Sequence, residues 1–530
     1  MKKQKSINFK ICPKTGKMTK INHTKKKIKF FNIFLFPIVY PLIGLLSLIW
    51  LLIRVLPKPS RINYPCIKAA FPFASSFLAS IVSLGIITWF YKVFKKAFSN
   101  KKIVFGVLFC ILFFGACAIY FAILSPNLFT LENANKPIGN AKGINPGRVV
   151  WVHDENATSF NGSGSYWKDE YNDQTLINNM ISLAIKSISG ESNDSASWDK
   201  IFKYYNKSKG YGNKGYQSGE KIAIKINQNN CKTHGDTDGL NGNPHLIFAL
   251  VESLIINAKV PQGNIAVYDT SRFIGSNIYN KIKNKYPEVE LWDSAGGDGR
   301  KKAVWVKNAI PYSDPKSNNA KGLPTVLVNA TYHINMALLK GHSAAGVTLT
   351  GKNFFGATSI NPNDWTKNNH YQMFGENKDR YLTLVDYFGH KDMGGKTILW
   401  IIDGLYSSEG QNDESIRKWK MSPFNNDWTS SIFVSQDPVA VDSVGLDMLT
   451  TEWPSLKNKG KPDKYLHEAA LANNPPSGTF YDPERDGSRL ASLGVHEHWN
   501  NAKDKQYSRN LGSSTGIELI YINPNLSKKH

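Results

Sequence analysis

Residues 332–356 read YHINMALLKGHSAAGVTLTGKNFFG. The stretch begins as an apolar run of strand length, His333–Leu339, and then sets Lys340, His342, Thr348, Thr350, Lys352 and Asn353 close together. Gly341, Gly346, Gly351 and Gly356 punctuate it, and glycine lets a backbone approach a bound group closely. Two lysines and a histidine beside a strand end suit an anionic or carbonyl-bearing ligand. A surface loop with solvated lysines is the competing reading, because lysine is mostly exposed.

Working outward, β-rich apolar runs recur at Val149–His153, Lys221–Asn227, Asn264–Asp269, Thr325–Ala330, Thr397–Asp403 and Ser431–Ser435. Helical patterns cover Gln174–Ile188, Pro244–Ile256 and Pro438–Trp453. Strands alternating with helices of this length predict an α/β domain built on a mostly parallel sheet. Ligands of such folds sit outside the carboxyl ends of the strands, so polar residues at strand ends are the candidates.

Several strands end that way. KIAIKIN runs on to His234, Asp236 and Asp238, which can hold a divalent cation through carboxylate oxygens and imidazole or can simply be a turn. Asp269, Thr270 and Ser271 close NIAVYDTS and could equally cap a helix. Asp403 follows the apolar ILWII as a ligand or an Asx turn. Asp437 before Pro438 reads as a helix cap. Asp442, five residues on, cannot cap that helix and needs a partner near its apolar face, with Lys352 a candidate. His467-Glu468 and His496-Glu497-His498 read as structural or surface pairs, although His496 and His498 would share a face on a strand. No HExxH or CxxC motif, strand-to-helix GxSxG elbow, strand-borne GxGxxG or phosphate loop of the GxxxxGK type is read.

The charge is divided along the chain. Residues 1–131 hold twenty Lys or Arg and no acid, whereas the other 399 residues carry 45 bases and all 41 acids. Of the net +24, +20 belongs to the N-terminal part and only +4 to the rest, which gives no ground for nucleic-acid binding by the rest. Residues 30–131 contain uncharged apolar runs at Phe30–Ile53, Ala69–Tyr91 and Ile103–Leu131, each long enough to cross a bilayer as a helix. The expected organisation is a basic cytoplasmic tail (1–29), three transmembrane helices (30–131), a polar linker (132–145) and a soluble α/β domain (146–530). With three crossings, sixteen bases on the N-terminal side against four place the large domain outside the cytoplasm, in a multi-pass plasma-membrane protein. If the first run, with Pro37 and Pro41, does not cross, that orientation inverts.

The order GEKIAIKIN, VLVNATYHINMALLKGHSAAGVTLTGKNFFG, ILWIIDGL and SQDPVAVDSVGLDML resembles the domain of unknown function 362 family over about residues 221–453, with Pro146 onward and LGVHEHW as extensions of one branch. The resemblance implies that Lys340, His342, Lys352, Asn353, Asp437 and Asp442 belong to one recurring constellation, without assigning their roles. Some members of the family carry ferredoxin-type iron–sulfur segments. Beyond the apolar runs only Cys231 is present here, so no built-in iron–sulfur cluster is expected.

Two functions follow as expectations. One is an enzyme acting on an anionic small molecule or envelope component, with Lys340, His342 and Lys352 catalytic and Asn353, Asp403, Asp437 and Asp442 binding ligand, a divalent cation assisting. The other is a non-catalytic ligand-binding or scaffold module of a membrane assembly, using the same groups.

Overall fold

The computed structural model describes residues 134–526 except 237, 318–319, 359–380 and 412–415, together with Phe9–Ile11, Met18–Lys20 and Ile53. The chain divides into Met1–Phe129 and Thr130–His530. In the first unit Phe9–Ile11 and Met18–Lys20 pair antiparallel. Apart from Ile53, the three apolar runs lie outside the described residues. Among the described residues no helix is long and apolar enough to cross a membrane.

The second unit is built on a ten-stranded sheet. Its strands in chain order are β1 (Arg148–His153), β2 (Ile222–Lys225), β3 (Ile265–Asp269), β4 (Glu290–Asp293), β5 (Lys301–Lys302), β6 (Tyr332–His342), β7 (Gly346–Thr348), β8 (Thr397–Ser408), β9 (Ser431–Ser435) and β10 (Glu518–Ile522). Across the sheet they run β10-β1-β9-β8-β6-β2-β3-β4-β5, with β7 folded back on β6. The block from β8 to β5 is parallel, β9 is antiparallel to both its neighbours, and β10 is parallel to β1. The expected mostly parallel α/β sheet is therefore present.

Helices cover both faces because the strands are apolar on both sides. In β1, Val150 and Val152 face one core and Val149 and Trp151 the other. The first core is closed by α1 (Gln174–Ser189), α2 (Asp194–Ser208), α3 (Pro244–Ile256) and α4 (Ser276–Lys283), through residues such as Ile181, Trp198, Leu250 and Ile278. After the single turn α5 (Thr350–Asn353), helices α6 (Thr383–Gly389), α7 (Pro438–Glu452) and α8 (Asp463–Ala470) close the second core with Val385, Val441 and Leu466.

One expectation is corrected. Thr325–Ala330, β-rich in composition, is not a strand: Thr325–Val328 forms a helical turn in which the Asn329 amide donates to the Thr325 carbonyl. The turn brings the chain round so that the Thr331 and Tyr332 amides both donate to the Lys221 carbonyl, setting β6 beside β2. The described part of the polar linker is docked on the large unit. Ile138–Gly139 pairs with Val495–His496, and the Lys142 and Ile144 amides donate to Asp437 and Gln436.

Candidate functional site: a basic cleft at the carboxyl ends of the strands

The connections from β2 step outward through β3 to β4, whereas β6 lies on the other side of β2 and leads to β8. The boundary between β6 and β2 is thus a topological switch point, where the loops beyond neighbouring strands diverge and leave a crevice. A cleft of 1410 Å³ opens at that place. Its wall is formed by residues at or just past the ends of β2, β3, β4, β6 and β8, among them Asn227, Ser271, Ser294, His342 and Gln411. Five bases line it (Lys225, Lys232, Arg272, Lys340, Lys352) against three acids (Asp236, Asp238, Asp269).

The hairpin between β6 and β7 explains how the opening stretch reaches the cleft. Lys340 pairs with Thr348 across it, and His342 with Gly346. Gly346 has φ +77°, a left-handed conformation that glycine adopts without a Cβ clash. A Cβ on Gly341 would overlap the Glu409 carbonyl oxygen, so only glycine lets the end of β8 lie so close. Lys340 is fully buried, its ammonium reaching the carbonyls of Gln411 (3.3 Å) and Leu240 (3.5 Å). His342 accepts the Ala344 and Ala345 amides at Nδ1 (3.1 and 3.0 Å), which leaves its proton on Nε2.

Lys352 is carried by α5. Among the described residues its ammonium has no hydrogen-bond or ion-pair partner, and it sits 4.1 Å from the centre of the Phe355 ring. Burial, reinforced by the cations of Arg272, Lys340 and Lys225, pushes it down from 10.5 to about 7. Asn353, next to it, is fully used as a bracket. Its Nδ2 donates to Asn335 (2.8 Å) and to the Met336 carbonyl (3.2 Å), and its Oδ1 accepts from Asn227 (3.2 Å) and Lys225 (3.4 Å).

The three expected carboxylates lie behind the wall rather than on it. Asp442 accepts from the Thr350 amide (2.8 Å) and hydroxyl (2.7 Å), the Gly351 amide (2.9 Å) and the Tyr465 hydroxyl (3.0 Å). It therefore holds the turn that carries Lys352 and makes no ion pair with that lysine. Asp403 stands where β8 bulges between its pairings with Leu338 and Lys340, and accepts the Leu405 and Asn243 amides. Asp437 caps α7 through the Val439 and Ala440 amides and also takes those of Lys142 and Val495. Burial raises all three, Asp403 and Asp442 to about 6 and Asp437 to about 7.

The expected metal set does not share a centre. The two ring nitrogens of His234 lie 2.9 Å from Asp293 and from Asp298, Asp236 bonds the Ser276 hydroxyl, and only Asp236 and Asp238 face the cleft.

Lys225 and Arg272 are the additions that the sequence reading did not single out. Lys225 is 1% exposed and pairs with Asp269 at 3.2 Å. Arg272 is fixed by the Asn229 carbonyl (3.0 Å) and side chain (3.3 Å). A spacing signal was also present. GVTLTGKN, residues 346–353, has the GxxxxGK spacing of a phosphate loop but ends in Asn353 where that loop has Ser or Thr. Residues 346–348 form a strand here, so the likeness is one of spacing only.

Residues 222–447 match the family model described as Domain of unknown function (DUF362). No curated protein and no solved structure matches the chain.

Proposed function

We propose that, in a chain whose residues 222–447 are a DUF362 domain, the cleft between β6 and β2 binds a multiply charged anionic compound bearing phosphate or carboxylate groups and acts on it chemically. The observation that carries this reading is Lys352. An ammonium with three cationic neighbours and no carboxylate partner among the described residues is balanced by an anion, and a lysine near 7 exchanges protons at neutral pH. Lys340 and Lys225 would share the anionic charge, and His342 would hold a proton at Nε2 by the rim. A divalent cation accompanying a polyphosphate would meet Asp236 and Asp238 on the wall. The apolar runs at 30–53, 69–91 and 103–131 would anchor the chain in the plasma membrane, with the large unit on the extracytoplasmic side.

A binding module without turnover is the second reading. It is favoured by the use of Asp403, Asp437 and Asp442 in holding backbone rather than in facing the ligand.

The test is thermal unfolding of the detergent-solubilised full chain with inorganic phosphate, pyrophosphate or citrate. At a hundredfold excess over Kd, binding to the folded state adds about 2.7 kcal/mol. Lys352→Ala should weaken the response to the same anion at least tenfold. An unresponsive parent chain, or an equal response in Lys352→Ala, refutes the anion site.

A further inference from the structure

A second cluster lies outside the DUF362 segment. Val495–His496 pairs with Ile138–Gly139 and lays VHEHW (495–499) against α7 and α8. There one ligand atom each from Asp463, His496 and His498 gather within 4.8 Å of one another, the one such grouping of three or more among the described residues. The His498 Nε2 is 3.4 Å from Asp463 Oδ1. Ligand atoms held at about 2.0–2.2 Å from a tetrahedral ion lie roughly 3.3–3.6 Å apart. The other ring nitrogens are anchored. His498 Nδ1 is 2.6 Å from Asp447 Oδ1, and His496 Nδ1 is 2.8 Å from the Ser443 hydroxyl. Asp447 is itself held by the Trp499 amide (3.0 Å) and the Tyr507 hydroxyl (2.8 Å). A carboxylate behind a histidine Nδ1 is the arrangement that orients Nε2 toward a metal.

We propose that Asp463, His496 and His498 bind a divalent transition-metal ion of the zinc type, which clasps the C-terminal extension onto α7 and α8. The ligand set, two imidazoles and a carboxylate, suits zinc and its neighbours rather than calcium or magnesium, which prefer oxygen alone. Water would complete the shell. Without an ion the same groups would form a proton-bridged network of His498 between two aspartates.

The discriminating experiment strips the full chain with chelator, adds Zn2+ or Co2+, and measures bound metal together with the visible absorption of Co2+. One equivalent of metal, a four-coordinate Co2+ spectrum and a higher Tm on reloading are expected. His498→Gln and Asp463→Asn should each lower the affinity at least tenfold, as loss of a ligand does. Asp463→Asn keeps the test valid if His498→Gln misfolds, because the Asp463 side chain is 35% exposed. No stoichiometric uptake by the parent chain overturns the site, and so does uptake unchanged in Asp463→Asn and His498→Gln.

Discussion

Lys352 has the most unusual surroundings of any residue in the cleft, and its electrostatics have a measurable consequence. Its value is 10.5 in the ordinary state and about 7 in the fold. Below pH 7 both states carry the proton, so the full penalty of burying the cation is present. Between about 7 and 10.5 the unfolded chain binds the proton and the folded chain does not, so stability rises with pH across that window. Lys352→Met should raise Tm at pH 7 and flatten the rise, with roughly 1 °C for each kcal/mol relieved in a unit of this length. Thermal melts of both proteins from pH 6 to 10 check this, and an undiminished slope in the variant refutes it. Lys340, His342, Lys352 and Asn353 were legible as a group because they share one local stretch. Lys225 and Arg272 were not. A lysine inside KIAIKIN reads as the solvent side of a strand, and only the placement of β2 and β3 beside β6 brings these cations to the cleft.

At the scale of elements, α5 is too short to hold itself, since one turn satisfies few of its own amides. Asp442 of α7 supplies the missing acceptors, so a helix that touches no ligand sets the position of Lys352. Asp442→Asn keeps the volume but removes an acceptor oxygen, leaving a buried donor unsatisfied at a cost of about 1–3 kcal/mol. The expected outcome is a lower midpoint in urea unfolding and weaker binding of phosphate. Unchanged stability would show that α5 is held by other contacts. Most sheet strands could be read from sequence because a strand buried on both faces is a continuous apolar run. Glu290–Asp293 escaped because Leu291 and Asp293 alone are buried in it, and Asp194–Ser208 because its apolar stripe is interrupted by lysines and asparagines. Thr325–Ala330 misled because its β-branched residues record burial, and here burial comes in a helical turn. The carboxylates stayed ambiguous in the sequence because the residue types that bind ligands also cap helices and bulges.

For the whole molecule, two sets of buried groups oppose each other. Asp386, Asp403 and Asp442 are raised from 3.8 to about 6 and Asp437 to about 7 by burial, so their stabilising contribution is complete below pH 3.8 and is lost as pH rises through 6–7. His153, His245, His333 and His390 are lowered from 6.5 by burial, His245 to about 4, so their contribution grows as pH rises toward 6.5. The two contributions therefore oppose each other as pH rises toward 6.5, each net proton changing stability by about 1.4 kcal/mol per pH unit. Urea titrations between about pH 4 and 6 should show a shallower fall with pH than the four carboxylates alone would give, and a fall as steep as theirs refutes the opposition.

The place of β1 in the sheet bears on how the chain is made. β1 is the first strand of the ten-stranded sheet to be synthesised, yet its neighbours are β9 and β10. The Trp151–Ser431 hydrogen bond spans 280 residues and the Arg148–Glu518 pair spans 370. During translation the segment RVVWVH therefore waits, apolar on both faces and without a strand partner from its own sheet, until β9 (Ser431–Ser435) has emerged. Contacts this distant slow folding and keep a sticky segment exposed to other nascent chains. The β1–β10 pairing joins the first and last strands of the sheet in chain order, which makes its completion sensitive to C-terminal truncation.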